Sequence, residues 1–231
     1  MSAPDTLADR LAATRARIGA AAAEAGRDPA ELRTIVVTKF HPASLVRELY
    51  SLGVRDVGES RHQEAQQKSD ALAELDLSWH FVGQLQTNKA RQALSYARVI
   101  HSVDRPSLVE ALAAAEQIGR HKPVDVFLQL NLTDDPGRGG VDAAGLESLA
   151  ETVVLAEGLR LLGVMAVAPL GEEPRAAFAR VRAASERVRV IEPAARFISA
   201  GMSGDFREAI LEGATHLRIG SAITGNRPVR P

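Results

Sequence analysis

The residue best suited to covalent chemistry is Lys39, which ends the apolar run TIVVTK. The chain has four lysines against 24 arginines, and the other three (Lys68, Lys89 and Lys122) lie in polar, helical or loop surroundings. An amine that can lose its proton forms a Schiff base with a carbonyl compound, whereas a guanidinium cannot. A lysine at a strand end can also simply extend into solvent. The role of Lys39 therefore depends on which groups lie around it.

Two segments rich in small residues could bind a phosphate group. One covers residues 199–205 (SAGMSGD) and the other is Gly220-Ser221. Small residues let backbone N–H groups approach a phosphate, and a helix that follows adds a favourable dipole. Gly201 and Ser203 could equally be only a turn residue and a helix cap.

Arg218 lies in the segment LRIG, two residues before Gly220, so both residues share one face of a strand. A buried arginine needs a partner, which could be a structural carboxylate or the ring nitrogen of a pyridine cofactor. A lysine for an aldehyde, loops for a phosphate and an arginine for a ring nitrogen together match pyridoxal 5′-phosphate (PLP). PLP is the predicted cofactor.

The apolar pattern along the chain alternates between strands and helices. Strands are predicted at 33–38, 54–57, 78–83, 98–103, 123–132, 160–168, 195–200 and 214–220. Helices are predicted at 5–26, 43–52, 61–74, 86–96, 106–119, 142–157, 173–190 and 204–212. Ser60 and Gln63 form a capping-box pattern at the start of the third helix.

Eight strands and an additional N-terminal helix favour a (β/α)8 TIM barrel, read as a single domain over residues 1–231. A doubly wound open sheet has the same alternation, but no G-x-G-x-x-G follows the first strand. Enzymes of the barrel fold carry their chemistry at the C-terminal ends of the strands. The barrel therefore predicts that Lys39, Arg218 and both small-residue loops meet at one end.

Composition excludes several other functions. The chain has no cysteine, which rules out disulfides and thiol nucleophiles. A formal charge of -1 and 4% aromatic residues argue against nucleic-acid binding. No apolar run approaches the ~20 residues of a membrane span, and residues 1–28 lack an export signal, so a cytoplasmic location is expected. His80, His101 and His121 lack metal-ligand spacing, and no metal is predicted.

Six segments resemble, in order and spacing, the pyridoxal phosphate homeostasis protein family. They are VVTKFHP, GESRHQEA, WHFVGQLQTNK, QLNLTDDPGRGG, ISAGMSGDFREAILEGAT and LRIGSAITG. The resemblance implies a PLP barrel similar to the N-terminal half of alanine racemase (fold type III), with Lys39 as the Schiff-base lysine and Arg218 facing the pyridine nitrogen. It also implies a set of residues around the phosphate: Ser199, Met202, Ser203, Gly220 and Ser221.

Four positions depart from the family pattern. Ser60 replaces an asparagine that approaches the cofactor, and His41, expected to be solvated, replaces a second lysine. Gln84 stands where members often have histidine, and Arg138 where some have lysine. An arginine at 138 could hold a phosphate but could not form an imine.

The resemblance implies a protein that binds PLP and supports intracellular PLP, amino-acid and keto-acid homeostasis, with PLP-dependent apo-enzymes as candidate recipients. The alternative is an amino-acid racemase, which needs a second base from a further domain. The chain ends shortly after its last strand, and Tyr50 and Tyr96 fall within predicted helices, so a non-catalytic monomer is expected. A Schiff-base aldolase would not explain Arg218.

Overall fold

The computed structural model describes residues 6–116, 123–133, 135 and 137–226. Its strands are β1 (Arg33–Val37), β2 (Asp56–Glu59), β3 (Ser78–Phe81), β4 (Ala97–Val103), β5 (Val124–Gln129), β6 (Leu159–Met165), β7 (Phe197–Ser199) and β8 (His216–Ile219). They form a closed parallel barrel in which neighbours follow chain order and β8 pairs with β1. The predicted (β/α)8 barrel is confirmed.

Helices connect the strands. They are α1 (Leu7–Glu24), α2 (Ala43–Ser51), α3 (His62–Ala71), α4 (Ala90–Leu94), α5 (Pro106–Glu116), α6 (Leu146–Leu155), α7 (Pro174–Ile191), α8 (Phe206–Leu211) and α9 (Ser221–Thr224). The helix predicted over 86–96 is a 3-10 turn followed by the short α4, and α9 was too short to predict. The predicted helix end at 117–119, with His121 and Lys122, lies outside the described residues. No helix in the described part is both long and apolar enough to cross a bilayer.

The additional N-terminal helix packs against the last two helices. Thr6 and Asp9 form a capping box at its start. Leu11 is buried on its apolar face, and the Arg10 side chain donates a 2.8 Å hydrogen bond to the carbonyl of Ile223. α1 therefore holds α8 and α9, which follow the strands of the two predicted phosphate loops.

Side chains alternate between the inside of the barrel and the helical layer. A Cβ atom added to Gly58 would lie 3.0 Å from Ile35 and 3.3 Å from Val37, so these three positions face the interior. The interior also holds a small apolar cluster centred on Phe127, separate from the main core between barrel and helices. Its remaining occupants are polar and almost completely buried, and they include His80, His101, Ser199, His216 and Arg218.

The capping box predicted for Ser60 and Gln63 is wrong. β2 begins and ends two residues later than predicted, and α3 starts at His62 with Arg61 at the N-cap and no side-chain cap. Ser60 instead approaches the third strand, because a Cβ on Gly83 would lie 2.4 Å from the Ser60 carbonyl oxygen. The shift places Ser60 at the mouth of the barrel.

Gly163 makes the closest backbone approach between β6 and β7. Its φ is +148°, and an added Cβ would lie 1.8 Å from the carbonyl oxygen of Phe197. We expect Gly163→Ala to lower the free energy of unfolding by more than about 3 kcal/mol, measured by urea denaturation. Gly19→Ala in α1 is the control, since no heavy atom lies within 4 Å of its Cβ position, and it should stabilise by up to about 1 kcal/mol. Equal stability of Gly163→Ala and the unsubstituted protein would contradict this approach.

Candidate functional site

Lys39 lies in a tight turn just after β1, at the C-terminal end of the barrel. Alternation from Ile35 and Val37 places it on the inward face of the strand, and its side chain is exposed. The next residue, Phe40, has a φ of 71°, in the left-handed region that non-glycine residues rarely adopt. The Lys39 ammonium lies 5.8 Å from the centre of the Phe40 ring. The strained turn thus presents the amine to the mouth.

A buried ion cluster holds the base of this turn. The ammonium of Lys68 donates to Glu59 at 2.7 Å and to the carbonyl oxygen of Thr38 at 2.8 Å. The Thr38 hydroxyl donates to the same Glu59 oxygen at 2.7 Å. Lys68 and Glu59 are 5% and 0% exposed, so water does not compete for these contacts.

Glu64 fixes the other side of the turn. It accepts from the Lys68 ammonium at 3.1 Å and from the backbone N–H of Phe40 at 2.5 Å. The cluster therefore binds the backbone on both sides of Lys39. Burial raises the pKa of Glu59, although the nearby Lys68 ammonium lowers it. The Oε2 atom of Glu59 has no hydrogen-bond partner among the described residues.

Lys68 lies on a helix among polar groups, as its sequence surroundings indicate, but its burial was not predicted. The spacing of Ala65, Lys68 and Leu72 could have indicated its position, because residues three and seven apart share one face of a helix. All three are buried. One partner, Glu64, is visible in the sequence four residues before Lys68, but the buried partner Glu59 lies on a strand, and that pairing is not visible in the local pattern.

The two small-residue loops lie beside each other after β7 and β8. Within the described residues, the backbone N–H groups of Ser203, Gly204, Gly220 and Ser221 donate to no acceptor. The hydroxyl of Ser203 accepts a 3.2 Å hydrogen bond from the backbone of Ala222 and links the two loops. Four unpaired N–H groups at a strand end suit an anion with several oxygens.

Gly201, Met202 and Ser199 differ from these loop residues. Gly201 has a φ of +92°, and a Cβ there would lie 2.8 Å from that of Ala209, so it shapes the turn. The N–H of Met202 already donates to Asp205 at 2.6 Å, while its side chain is exposed. The Ser199 hydroxyl is buried and bonded inside the barrel.

Arg218 is buried without a carboxylate partner. One terminal nitrogen donates to the carbonyl and hydroxyl oxygens of Ser199, both at 2.7 Å, and the other donates to the carbonyl of Ala166 at 2.9 Å. It forms no salt bridge with any carboxylate of the described residues. Burial lowers the pKa of Arg218 to about 10, so it remains a cation at neutral pH. The structural carboxylate that the sequence left open is therefore absent from its contacts.

Two histidines extend this contact across the barrel. His101 Nδ1 lies 2.8 Å from the Ser199 hydroxyl, and His101 Nε2 lies 3.0 Å from His80 Nδ1. His80 Nε2 lies 2.9 Å from a carboxylate oxygen of Asp56. Burial lowers the pKa of both histidines. The sequence reading treated them as scattered, but each lies on the inward face of its strand.

A cavity of about 720 Å³ adjoins Ser60 at the mouth, and Gln84, Lys89 and Arg138 also line it. The Ser60 hydroxyl has no partner among the described residues, so it is free to contact a ligand. His41 does not line this cavity. It is 7% exposed rather than solvated, and burial lowers its pKa.

Neither tyrosine lines that cavity. Tyr50 lies on α2 with the Arg55 guanidinium 3.9 Å from its ring centre. Tyr96 lies between α4 and β4 rather than within a helix, and its hydroxyl is 3.3 Å from His62 Nδ1. Burial raises the pKa of Tyr96, which disfavours its use as a base.

The fold and these groups are suited to binding a phosphorylated carbonyl compound through a lysine. The family model described as "Alanine racemase, N-terminal domain" matches residues 10–228. A relative from Mycobacterium tuberculosis, named pyridoxal phosphate homeostasis protein, is 41% identical over an alignment of 242 positions, gaps included, that covers 97% of this chain and 94% of the relative. The protein of that name from Pseudomonas aeruginosa is 41% identical over an alignment of 225 positions that covers 96% of each chain.

Solved structures are also similar to this chain. The PipY protein of Synechococcus elongatus, solved with PLP bound, has a TM-score of 0.84 and 35% identity, and the match covers 95% of this chain and 100% of that chain. Alanine racemase from Corynebacterium glutamicum has a TM-score of 0.69 at 15% identity over 61% of its length, which is a likeness of fold alone. The chain belongs to the alanine racemase N-terminal domain family and, within it, to the pyridoxal phosphate homeostasis proteins.

Removal of the Lys68 ammonium should destabilise the protein, because it breaks the buried ion cluster beneath the Lys39 turn. Lys68→Met leaves the Glu59 carboxylate buried without a counter-charge, and we expect a loss of about 3–5 kcal/mol in the free energy of unfolding. Lys89→Met is the control, because its side chain is only partly buried and forms no ion pair in the described part of the chain. The double variant Glu59→Gln/Lys68→Met should recover part of the loss in urea denaturation. Equal losses from Lys68→Met and Lys89→Met would contradict this role.

The buried histidines should make the fold sensitive to acid. His80, His101 and His216 have folded-state pKa values below 6.5, about 3 for His216, because burial disfavours the charged ring. The unfolded chain binds more protons below pH 6.5, so stability is present above that pH and is lost as the pH falls. Each histidine contributes up to about 1.4 kcal/mol per pH unit. Urea denaturation from pH 7.5 to 5 should show this slope in the free energy of unfolding. His216→Gln should lower the slope by up to about 1.4 kcal/mol per pH unit, the value for one proton. A flat profile would contradict neutral buried histidines.

Proposed function

We propose that this protein binds PLP through a Schiff base to Lys39 and supports PLP, amino-acid and keto-acid homeostasis. The observation that carries the proposal is the meeting of three groups at one end of the barrel: the exposed Lys39 amine, the unpaired N–H groups after β7 and β8, and the cationic Arg218. Each corresponds to one functional group of PLP.

The phosphate fits the loops. The N–H groups of Ser203, Gly204, Gly220 and Ser221 can donate to its oxygens, together with the hydroxyls of Ser203 and Ser221. A Cβ on Gly204 would meet no atom within 4 Å, so this side is open to a ligand. On this assignment Gly201 and Met202 shape the loop, and Ser199 acts through Arg218.

The ring nitrogen fits Arg218. Three of the five guanidinium N–H groups are used by Ser199 and Ala166, and the other two have no acceptor in the described residues. A guanidinium does not give up its proton readily, so it donates to a ring nitrogen that carries none. An unprotonated ring withdraws electrons weakly, which disfavours carbanion chemistry.

Lys39 supplies the amine. PLP brings an aldehyde, which condenses with a primary amine to an imine and releases water. The ion cluster of Lys68, Glu59 and Glu64 orients the turn from below. The racemase alternative needs a second base across the ring, and both tyrosines make other contacts: Tyr50 stacks against the Arg55 guanidinium, and the Tyr96 hydroxyl lies 3.3 Å from His62 Nδ1. We therefore propose a carrier rather than a racemase.

Borohydride reduction of the PLP-loaded protein, followed by peptide mass spectrometry, tests the proposal. We expect the pyridoxyl mass on the peptide that contains Lys39, and we expect Lys39→Arg to lose the imine absorption band because a guanidinium forms no imine. Lys89→Arg should keep the band. Pyridoxal, which lacks the phosphate, should bind much more weakly than PLP.

Three outcomes would contradict the proposal. These are the pyridoxyl mass on Lys89 or Lys68, an imine band that persists in Lys39→Arg, and equal binding of pyridoxal and PLP. Alanine racemisation at the rate of dedicated racemases would favour the enzyme alternative.

A further inference from the structure

We propose that Asp56, His80 and His101 are positioning residues. Through Ser199 they form a one-directional chain of hydrogen bonds that fixes Arg218 as a donor toward the cofactor ring nitrogen. The cofactor end of this inference rests on the proposed function. The chain itself is a property of the protein alone.

The chain crosses the interior of the barrel. Its five members come from five strands (Arg218 from β8, Ser199 from β7, His101 from β4, His80 from β3 and Asp56 from β2). Its four successive contacts measure 2.7, 2.8, 3.0 and 2.9 Å from Arg218 to Asp56. Ser199, His101 and His80 are 0% exposed, so bulk solvent does not reach them.

Hydrogen-bonding capacity fixes the direction of the protons. A guanidinium can only donate, so the Ser199 oxygen accepts from Arg218. An ionised carboxylate can only accept, so His80 must present an N–H at Nε2 to Asp56. A neutral His80 then accepts at Nδ1, and His101 must donate to it from Nε2.

The remaining contact follows from these two ends. His101 has no proton on Nδ1, so it accepts the hydroxyl proton of Ser199. The opposite direction would place a bare nitrogen of His80 against the Asp56 carboxylate. The lowered pKa values of Asp56, His80 and His101 agree with a neutral chain between two charged ends.

The ends differ in their access to water. The Asp56 side chain is 20% exposed and lines a cavity at the opposite end of the barrel, where the same carboxylate oxygen also lies 3.8 Å from a guanidinium nitrogen of Arg33. Arg218 is 5% exposed and has only neutral acceptors. Hydrogen bonds in series polarise one another, so the negative charge of Asp56 makes Ser199 a stronger acceptor for Arg218. The arginine is thereby held in one plane as a cation.

Nitrogen NMR of the protein without PLP tests the chain directly. With ¹⁵N-labelled histidine, we expect both His80 and His101 in the neutral form with the proton on Nε2 at pH 7. Variants His80→Gln and His101→Gln assign the signals. A proton on Nδ1 of His101, or a charged His80, overturns the chain even if PLP binds as proposed.

The cofactor end is tested with PLP labelled with ¹⁵N in its ring. Asp56→Asn keeps an acceptor for His80 but removes the charge, so it should preserve the imine band while it moves the ring-nitrogen signal and weakens PLP binding about 5-fold or more. Ser102→Ala is the matched control, because Ser102 is 0% exposed and adjacent to His101 but lies outside the chain. Its ring-nitrogen signal should be unchanged.

An unchanged ring signal in Asp56→Asn, or an equal change in Ser102→Ala, overturns the positioning role. If Asp56→Asn fails to fold, His101→Gln provides the same comparison. Failure of the unsubstituted protein to bind PLP would instead contradict the proposed function and leave the NMR result on the chain to stand by itself.

Discussion

A closed parallel barrel turns alternate side chains toward an interior that water does not reach, and each polar group there must be satisfied from within. This constraint explains why the polar residues of the barrel are linked rather than scattered. Arg218 is buried, and three of its five guanidinium N–H groups are directed to Ala166 and Ser199. Ser199 in turn needs an acceptor for its own proton, which His101 provides.

The same constraint gives two lysines opposite properties. Lys39 follows its strand and is exposed, so its amine is available to a ligand. Lys68 reaches the same turn from a helix and is buried in contact with Glu59 and Glu64, so its ammonium is fully occupied. The buried lysine therefore has a structural task, and it holds the turn that carries Lys39.

Much of the fold could be predicted from the sequence, because the order of strands and helices follows from local periodicity. The position of Lys39 at the mouth followed from barrel topology in the same way. Contacts between strands could not be predicted, since they depend on register. A two-residue shift in β2 removed the expected cap at Ser60 and freed its hydroxyl. His80 and His101 lie 21 residues apart, and only strand pairing brings Nδ1 of His80 to 3.0 Å from Nε2 of His101.

A protein that stores a reactive aldehyde must bind it firmly without activating it. On the proposed function, the backbone N–H groups after β7 and β8 bind the phosphate, and the imine to Lys39 can be reversed by water or by another amine. Neither of these two interactions involves the ring nitrogen. The third contact determines whether the ring becomes an electron sink, and here the donor is a buried guanidinium that burial leaves with a pKa of about 10. A carboxylic acid in its place could pass a proton to the ring nitrogen and favour catalysis. On the proposed function, the polar chain through the barrel thus holds Arg218 as a donor to a ring nitrogen that carries no proton, and such a ring is a weak electron sink.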